Sequence, residues 1–309
     1  KLVGASATLI VHMLLARLLA PQDLGIYLLA FSVVVTLALA GQWGLNRGMV
    51  KLVACRLAEG QEHTIVGLIL AAFICVLTIS GVLGLLLIST VGNSFFLQLD
   101  NSLVLGSLAI YIGVWLVIRS LQGLVSETFR GFSDIRFATL FSGVVTSVLA
   151  AAAFLVLWVY AGQADLSEVL TIMIGCSVIS LIIAGFFMAR KLVPYSFAGD
   201  TPVREVLVLG TPLMVTSLAL FGVKELHVWI LAFYQEEAAV AFYGTALRLT
   251  MALVVPLAVA NAVLPPMVAK LYSESDLEGL QNFLQQIAAL TTILALMVLV
   301  AVIGLGQQL

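Results

Sequence analysis

Nine apolar stretches divide this chain, over residues 2–20, 25–44, 65–90, 103–123, 138–161, 168–189, 206–233, 239–264 and 282–306. At 1.5 Å per residue most are long enough to cross about 30 Å of hydrocarbon. Backbone inside hydrocarbon has no water to bond to, so such stretches fold as helices. The connections are short, and no soluble domain fits between them. Only 10% of the residues are charged and the mean hydropathy is +1.17. A soluble domain carries about 25% charged residues, so this chain cannot clothe a water-facing surface. The expectation is an all-α polytopic membrane protein with about nine transmembrane helices.

The prolines fall mostly at the ends of the stretches; Pro256 lies inside one and predicts a kink. Cys55, Cys75 and Cys176 show no metal-ligand spacing and read as small packing residues. No cleavable signal peptide is visible, and the opening at Lys1 reads as a terminus trimmed at or inside a first membrane helix.

Lys and Arg alternate between the connections. The second holds Arg47, Lys51 and Arg56; the fourth holds Arg130 and Arg136; the sixth holds Arg190, Lys191 and Arg204; the eighth holds Lys270. The odd connections carry Asp100, Asp165, Glu236 and Glu237 instead, with Arg17 bordering the first. The positive-inside rule then puts Lys1 and the even-numbered loops in the cytoplasm.

A repeat organises the stretches. Ala16-Arg17-Leu18-Leu19-Ala20-Pro21-Gln22-Asp23-Leu24-Gly25-Ile26-Tyr27 reads against Ala232-Phe233-Tyr234-Gln235-Glu236-Glu237-Ala238-Ala239-Val240-Ala241-Phe242-Tyr243, at an offset of 216 residues. In each, an apolar run ends, an acidic turn follows, and a second apolar run reaches a Tyr. The first stretch thus matches the seventh. Residues 1–198 form a six-helix N-terminal bundle, and 199–309 a partial C-terminal bundle of three helices with the remainder absent. Repeated bundles of a membrane protein suggest a transporter with its site between them.

Charges at bilayer depth cost about 2.5–3.5 kcal/mol each on insertion scales and face a cavity or a partner. His12, Arg119, Lys224, Glu225, His227 and Arg248 are such residues. At 100° per residue, Thr216, Ser217, Lys224 and His227 share one side of the seventh stretch. Arg119, Gln122, Ser126 and Arg130 form another stripe at the end of the fourth. Two cationic stripes, one per half, make a cationic cavity that favours an anionic group, phosphate above all. Plainer roles stay open. Lys224 pairs with Glu225 or another acid; Arg119 and Arg130 snorkel to the interface; His12 packs in the core; Arg47 is a loop charge. No phosphate loop, metal-spaced cluster, nucleophile elbow or nucleic-acid face is present.

The motif Ala16–Tyr27 resembles the "ARLLGPEDFGIY" opening of polysaccharide-transporter flippases, members of the multidrug/oligosaccharidyl-lipid/polysaccharide exporter superfamily. Gly44-Leu45-Asn46-Arg47, Phe129-Arg130-Gly131-Phe132, Leu209-Gly210-Thr211-Pro212-Leu213, Phe242-Tyr243-Gly244 and Asn261-Ala262-Val263-Leu264-Pro265-Pro266 resemble the same family, in order along essentially the whole chain. The resemblance implies two six-helix bundles around a central cavity. It also implies export of a polyprenyl-pyrophosphate-linked sugar unit, of O-antigen or lipopolysaccharide type, across the bacterial inner membrane. It implies an acid near the position of His227; here the nearest is Glu225.

The leading expectation is therefore a non-enzymatic flippase of lipid-linked oligosaccharide. Arg119, Arg130, Lys224 and Arg248 are its anion contacts, and Glu225 or His227 its coupling to H+ or Na+; Arg47 and His12 are weaker candidates. No metal, cofactor or nucleic acid is expected; the partners are the lipid-linked substrate and membrane lipids. Two alternatives remain. A cation-extruding multidrug exporter would line its cavity with acids. A membrane-embedded transferase or polymerase acting on the same carrier would need a catalytic loop at the membrane surface.

Overall fold

A computed structural model describes residues 2–89, 108–195, 202–236, 238–247 and 277–305, with isolated helical positions between 250 and 268. For a few residues inside its helices only the backbone is described. The stretch around Asp100, Pro256 and its expected kink, the segment around Lys270 and the Pro265-Pro266 step lie outside the described residues.

Described secondary structure is helical, with no strand. The helices are α1 (Leu2–Leu18), α2 (Pro21–Gly41), α3 (Leu45–Ala58), α4 (Ile65–Ile88) and α5 (Ala109–Gly131). They continue with α6 (Ile135–Thr139), α7 (Val145–Ala161), α8 (Leu166–Leu192), α9 (Val203–Tyr234), α10 (Ala238–Leu247) and α11 (Leu277–Leu305). Seven helical segments among the described residues are long and apolar enough to cross a membrane, and two shorter apolar helices accompany them. This is a multi-pass membrane protein, and its helices follow the nine apolar stretches.

The repeat has a structural counterpart. α1 ends at Leu18 and α9 at Tyr234, which stand at the 216-residue offset of the sequence motif. In both places a short turn leads into a second apolar helix.

α5 is the hub of the first bundle and packs against α2, α3, α4, α6 and α8. α4 crosses it at Gly84 and Gly113, where a Cβ on either glycine would stand 3.1–3.2 Å from the other's carbonyl oxygen. Small residues let membrane helices approach this closely, where dispersion does the work that hydrophobic burial does in water. α1 lies along α7, and α8 closes the ring against α5 and α7. Leu15, Val33, Ile112, Leu116, Phe154 and Val169 are buried in the shared core.

α3 departs from the sequence expectation, which read Arg47, Lys51 and Arg56 as a cytoplasmic loop. It is a helix that buries Leu45, Gly48, Met49, Leu52 and Val53, one side at helical spacing, and leaves the cations outside. A turn at Trp43 (φ 49°) and Gly44 (φ 72°) swings the chain from α2 into it. α9 docks against that corner. A Cβ on Gly44 would overlap the Gly210 carbonyl and the Met214 amide nitrogen, and a Cβ on Gly210 would overlap the Trp43 carbonyl. Trp43 Nε1 donates to Thr211 Oγ1 (3.2 Å) and, further along α9, Trp229 Nε1 donates to Ser32 Oγ of α2 (3.0 Å).

Cross-links sort the connections by end. The second, fourth and sixth meet at one end: Arg56 forks onto Glu205 (2.8 and 2.9 Å), and Lys191 pairs with Asp134 (3.3 Å). At the other end, Ala164 N donates to Leu18 O (3.1 Å) and the Arg17 guanidinium lies 5.6 Å from the Trp158 ring centre.

Candidate functional site: a chamber around Arg119

The polar stripe of α5 is placed by the helix's length. α5 runs on to Gly131, so Arg119 stands at its middle rather than near its end. Two residues of the stripe point into protein. Gln122 Nε2 donates to Ser177 O (2.9 Å) and Thr146 Oγ1 (3.2 Å), and Ser126 Oγ donates to Ala138 O (2.8 Å).

Arg119 lines a part-open chamber of about 310 Å³ among α1, α2, α5, α7 and α8. α1 supplies Thr8 and His12 to the wall, and α2 supplies Tyr27 and Phe31. α5 adds Trp115, Arg119 and Gln122; α7 adds Thr146 and Ser147; α8 adds Met173 and Ser177. The rings form one side: Phe31 and Trp115 are 5.7 Å apart between centroids, and Tyr27 and Trp115 6.2 Å. No Asp or Glu is among the described lining residues, and Arg119 makes no ion pair or hydrogen bond with a described residue.

The chamber owes its shape to a break in the fifth apolar stretch. Between α6 and α7 the chain passes through a π-helical turn, Leu140–Val144, whose Gly143 has φ 138°. A Cβ on Gly143 would lie 3.7 Å from Arg119 Nη1, so the broken turn is the wall opposite the guanidinium. A single π turn inside a membrane helix is tolerated where it lines a cavity, and such turns recur at functional sites. The sequence expectation of an unbroken helix over 138–161 misses this. The adjacent Ser142-Gly143 is the signal for it, since Gly/Ser pairs mark kinks.

The family described as polysaccharide biosynthesis protein matches residues 1–272. The chain belongs to this family. No curated protein matches it. Among solved structures, this member of the polysaccharide biosynthesis family is similar to one described as the inward-facing conformation of a multidrug resistance MATE family transporter of the MOP superfamily. The likeness has a TM-score of 0.73 at 19% identity and covers 98% of this chain and 71% of that one. It shows that the helices here are arranged as in that transporter.

Within that fold the expected site residues fall into separate places. Arg119 and His12 share the chamber; His12 Nδ1 is 2.7 Å from Thr8 O, and its ring meets Phe31 edge-on at 6.4 Å. Arg130 is away from it, exposed at the end of α5 and ion-paired to Glu127 (2.7 Å). Arg47 is exposed on α3 and near enough to act on the Glu127 charge. His227 meets Tyr243 edge-on at 5.6 Å, joining α9 to α10. Lys224 and Glu225 belong to α9, but their side chains lie outside the described residues, as does Arg248. Among the described residues no cluster of three His, Cys, Asp or Glu is arranged to hold a metal.

Proposed function

We propose that this protein is a flippase that carries a polyprenyl-pyrophosphate-linked oligosaccharide across the bacterial inner membrane by alternating access. The bundles 1–198 and 199–309 would rock about the cargo, with Lys1 and the even loops in the cytoplasm. The observation that carries this reading is Arg119: a guanidinium at the middle of a membrane helix, lining a chamber with no acid among its described residues. An unpaired cation at that depth is costly unless an anion visits it. Polysaccharide biosynthesis supplies such anions on lipid carriers, and the family description supports that source. Lys224 and Arg248 are the partner cations in the second half. Arg130 and Arg47, at the even-loop end, meet the pyrophosphate at the membrane surface. Glu225 or His227 couples transport to H+ or Na+.

The solved relative's description as a multidrug transporter favours a second reading, export of cationic compounds. A cationic cargo gains from acids in its cavity, and the described residues of this chamber's wall include none.

Both readings meet one experiment. A cell lacking its own flippase for a surface polysaccharide receives the intact protein or its Arg119→Gln form. Restored surface polysaccharide with wild type, and its loss with Arg119→Gln at equal membrane abundance, supports the flippase. Ethidium efflux with no restored polysaccharide supports the drug exporter and ends the flippase reading.

A further inference from the structure

We propose that the chamber within the first bundle is a subsite for a hydroxylated monocarboxylate, the acidic sugar class, and not for the carrier's pyrophosphate. This rests on the flippase reading and names the part of the cargo that Arg119 holds.

Charge comes first. Among the described residues the wall offers one fixed cation and no acid. A guanidinium fork matches the two oxygens of one carboxylate, so charge and geometry balance together. A pyrophosphate diester brings two charges; the second would sit uncompensated in low dielectric.

Hydroxyl chemistry points the same way. Thr8 and Ser147 hydrogen-bond to each other (3.1 Å), and Ser142 is turned onto Thr139 O (2.8 Å). Thr139 Oγ1 has no partner among the described residues, and Thr146 Oγ1 only accepts, from Gln122. Gln122 is 2% exposed, its Nε2 is bonded twice, and its Oε1 is buried with no donor. A buried acceptor left unsatisfied costs about 1–3 kcal/mol. A ligand hydroxyl can donate to it; a pyrophosphate diester has no proton to give. The aromatic side at Phe31 and Trp115 offers a flat apolar surface to the C–H face of a ring. The volume, about 310 Å³, lies at the low end of ligand clefts and suits one sugar ring rather than a chain of them.

The test uses the intact protein in lipid nanodiscs with sodium D-glucuronate, D-glucose, sodium acetate and inorganic pyrophosphate as calorimetric probes. Glucuronate should bind at least about tenfold tighter than glucose or acetate, the scale of one charge-assisted hydrogen bond. Arg119→Gln should reduce it to the glucose level. Thr139→Val, which removes one free hydroxyl, should weaken it a few-fold while the protein elutes as wild type. Pyrophosphate should not displace it. Glucuronate bound no better than glucose, or displaced by pyrophosphate in an Arg119-dependent way, overturns the proposal. Parallel liposomes carry a lipid-linked oligosaccharide containing a uronic acid or, separately, one of neutral sugars alone. If either unit is flipped while glucuronate fails to bind, this subsite is refuted and the flippase stands. If glucuronate binds but neither neutral nor acidic lipid-linked units move, the subsite is upheld as one for free sugar acids and the flippase reading falls.

Discussion

Gly44→Ala is the perturbation whose cost can be worked most directly from the structure. Gly44 has φ 72°, a left-handed conformation that costs a residue bearing a Cβ about 1–2 kcal/mol. The new methyl would also overlap the Gly210 carbonyl and the Met214 amide nitrogen. These are backbone atoms and cannot swing aside as a side chain would, so α9 must withdraw. Withdrawal strains the Trp43–Thr211 hydrogen bond, a further loss of about 1 kcal/mol. The sum, about 2–3 kcal/mol, corresponds to a fall in Tm of roughly 5–10 °C for a domain of 150–250 residues. Thermal unfolding of purified protein, followed by tryptophan fluorescence, measures it, and Trp43 itself reports on the corner. Gly48→Ala is the control. Its Cβ would stand 3.6 Å from Leu209 Cδ2 and Leu45 Cδ2, in ordinary contact, and Ala is the better helix former. Its Tm should equal or exceed wild type. The reasoning is refuted if Gly44→Ala melts with wild type, or if Gly48→Ala falls as far.

Three further outcomes are expected. Gly143→Ala should reduce transport with little loss of membrane insertion, because a side chain disfavours φ 138° by about 1–3 kcal/mol and the wall facing Arg119 would re-form; unchanged transport in a vesicle assay would exclude the π turn from the site. Arg56→Glu should loosen the α3–α9 link by about 0.2–1 kcal/mol, with the double exchange Arg56→Glu, Glu205→Arg recovering it at low salt; a double-mutant cycle showing no coupling would remove that link. Phe154→Ala should open a void in the α1–α7–α8 core and cost about 3–5 kcal/mol, seen as lost folded yield in detergent; a yield like wild type's would show that this side chain is not a packing element.

Much of the architecture is legible in the chain because the bilayer leaves few choices. Apolar length dictates helices, and among the described residues the second, fourth and sixth connections are cross-linked to one another, as are the first and fifth. The turn shared by Leu18 and Tyr234 follows the repeat. What escaped inspection has physical causes. Arg47, Lys51 and Arg56 mask α3, although Leu45, Gly48, Met49, Leu52 and Val53 carry its helical period in plain view. The π turn at Gly143 hides inside an apolar run, because hydrophobicity is blind to a change of hydrogen-bond register. Arg119 lies in the sequence stripe, but its chamber does not: α1, α2, α5, α7 and α8 contribute to it across distant parts of the chain. Helical periodicity groups Arg130 with Arg119. The structure separates them, because Arg130 is exposed at the end of α5 and pairs with a nearby acid, Glu127.

The central claim is that an anion on a lipid carrier crosses the membrane by way of the Arg119 chamber. Its most direct measurement is flipping in proteoliposomes: the intact protein, a fluorescent polyprenyl-pyrophosphate oligosaccharide containing a uronic acid, and an impermeant quencher outside. Wild type should bring the label to the quencher, and Arg119→Gln should slow this to the rate of protein-free vesicles. Equal rates for wild type, Arg119→Gln and empty vesicles, with both proteins folded and inserted, would contradict the claim.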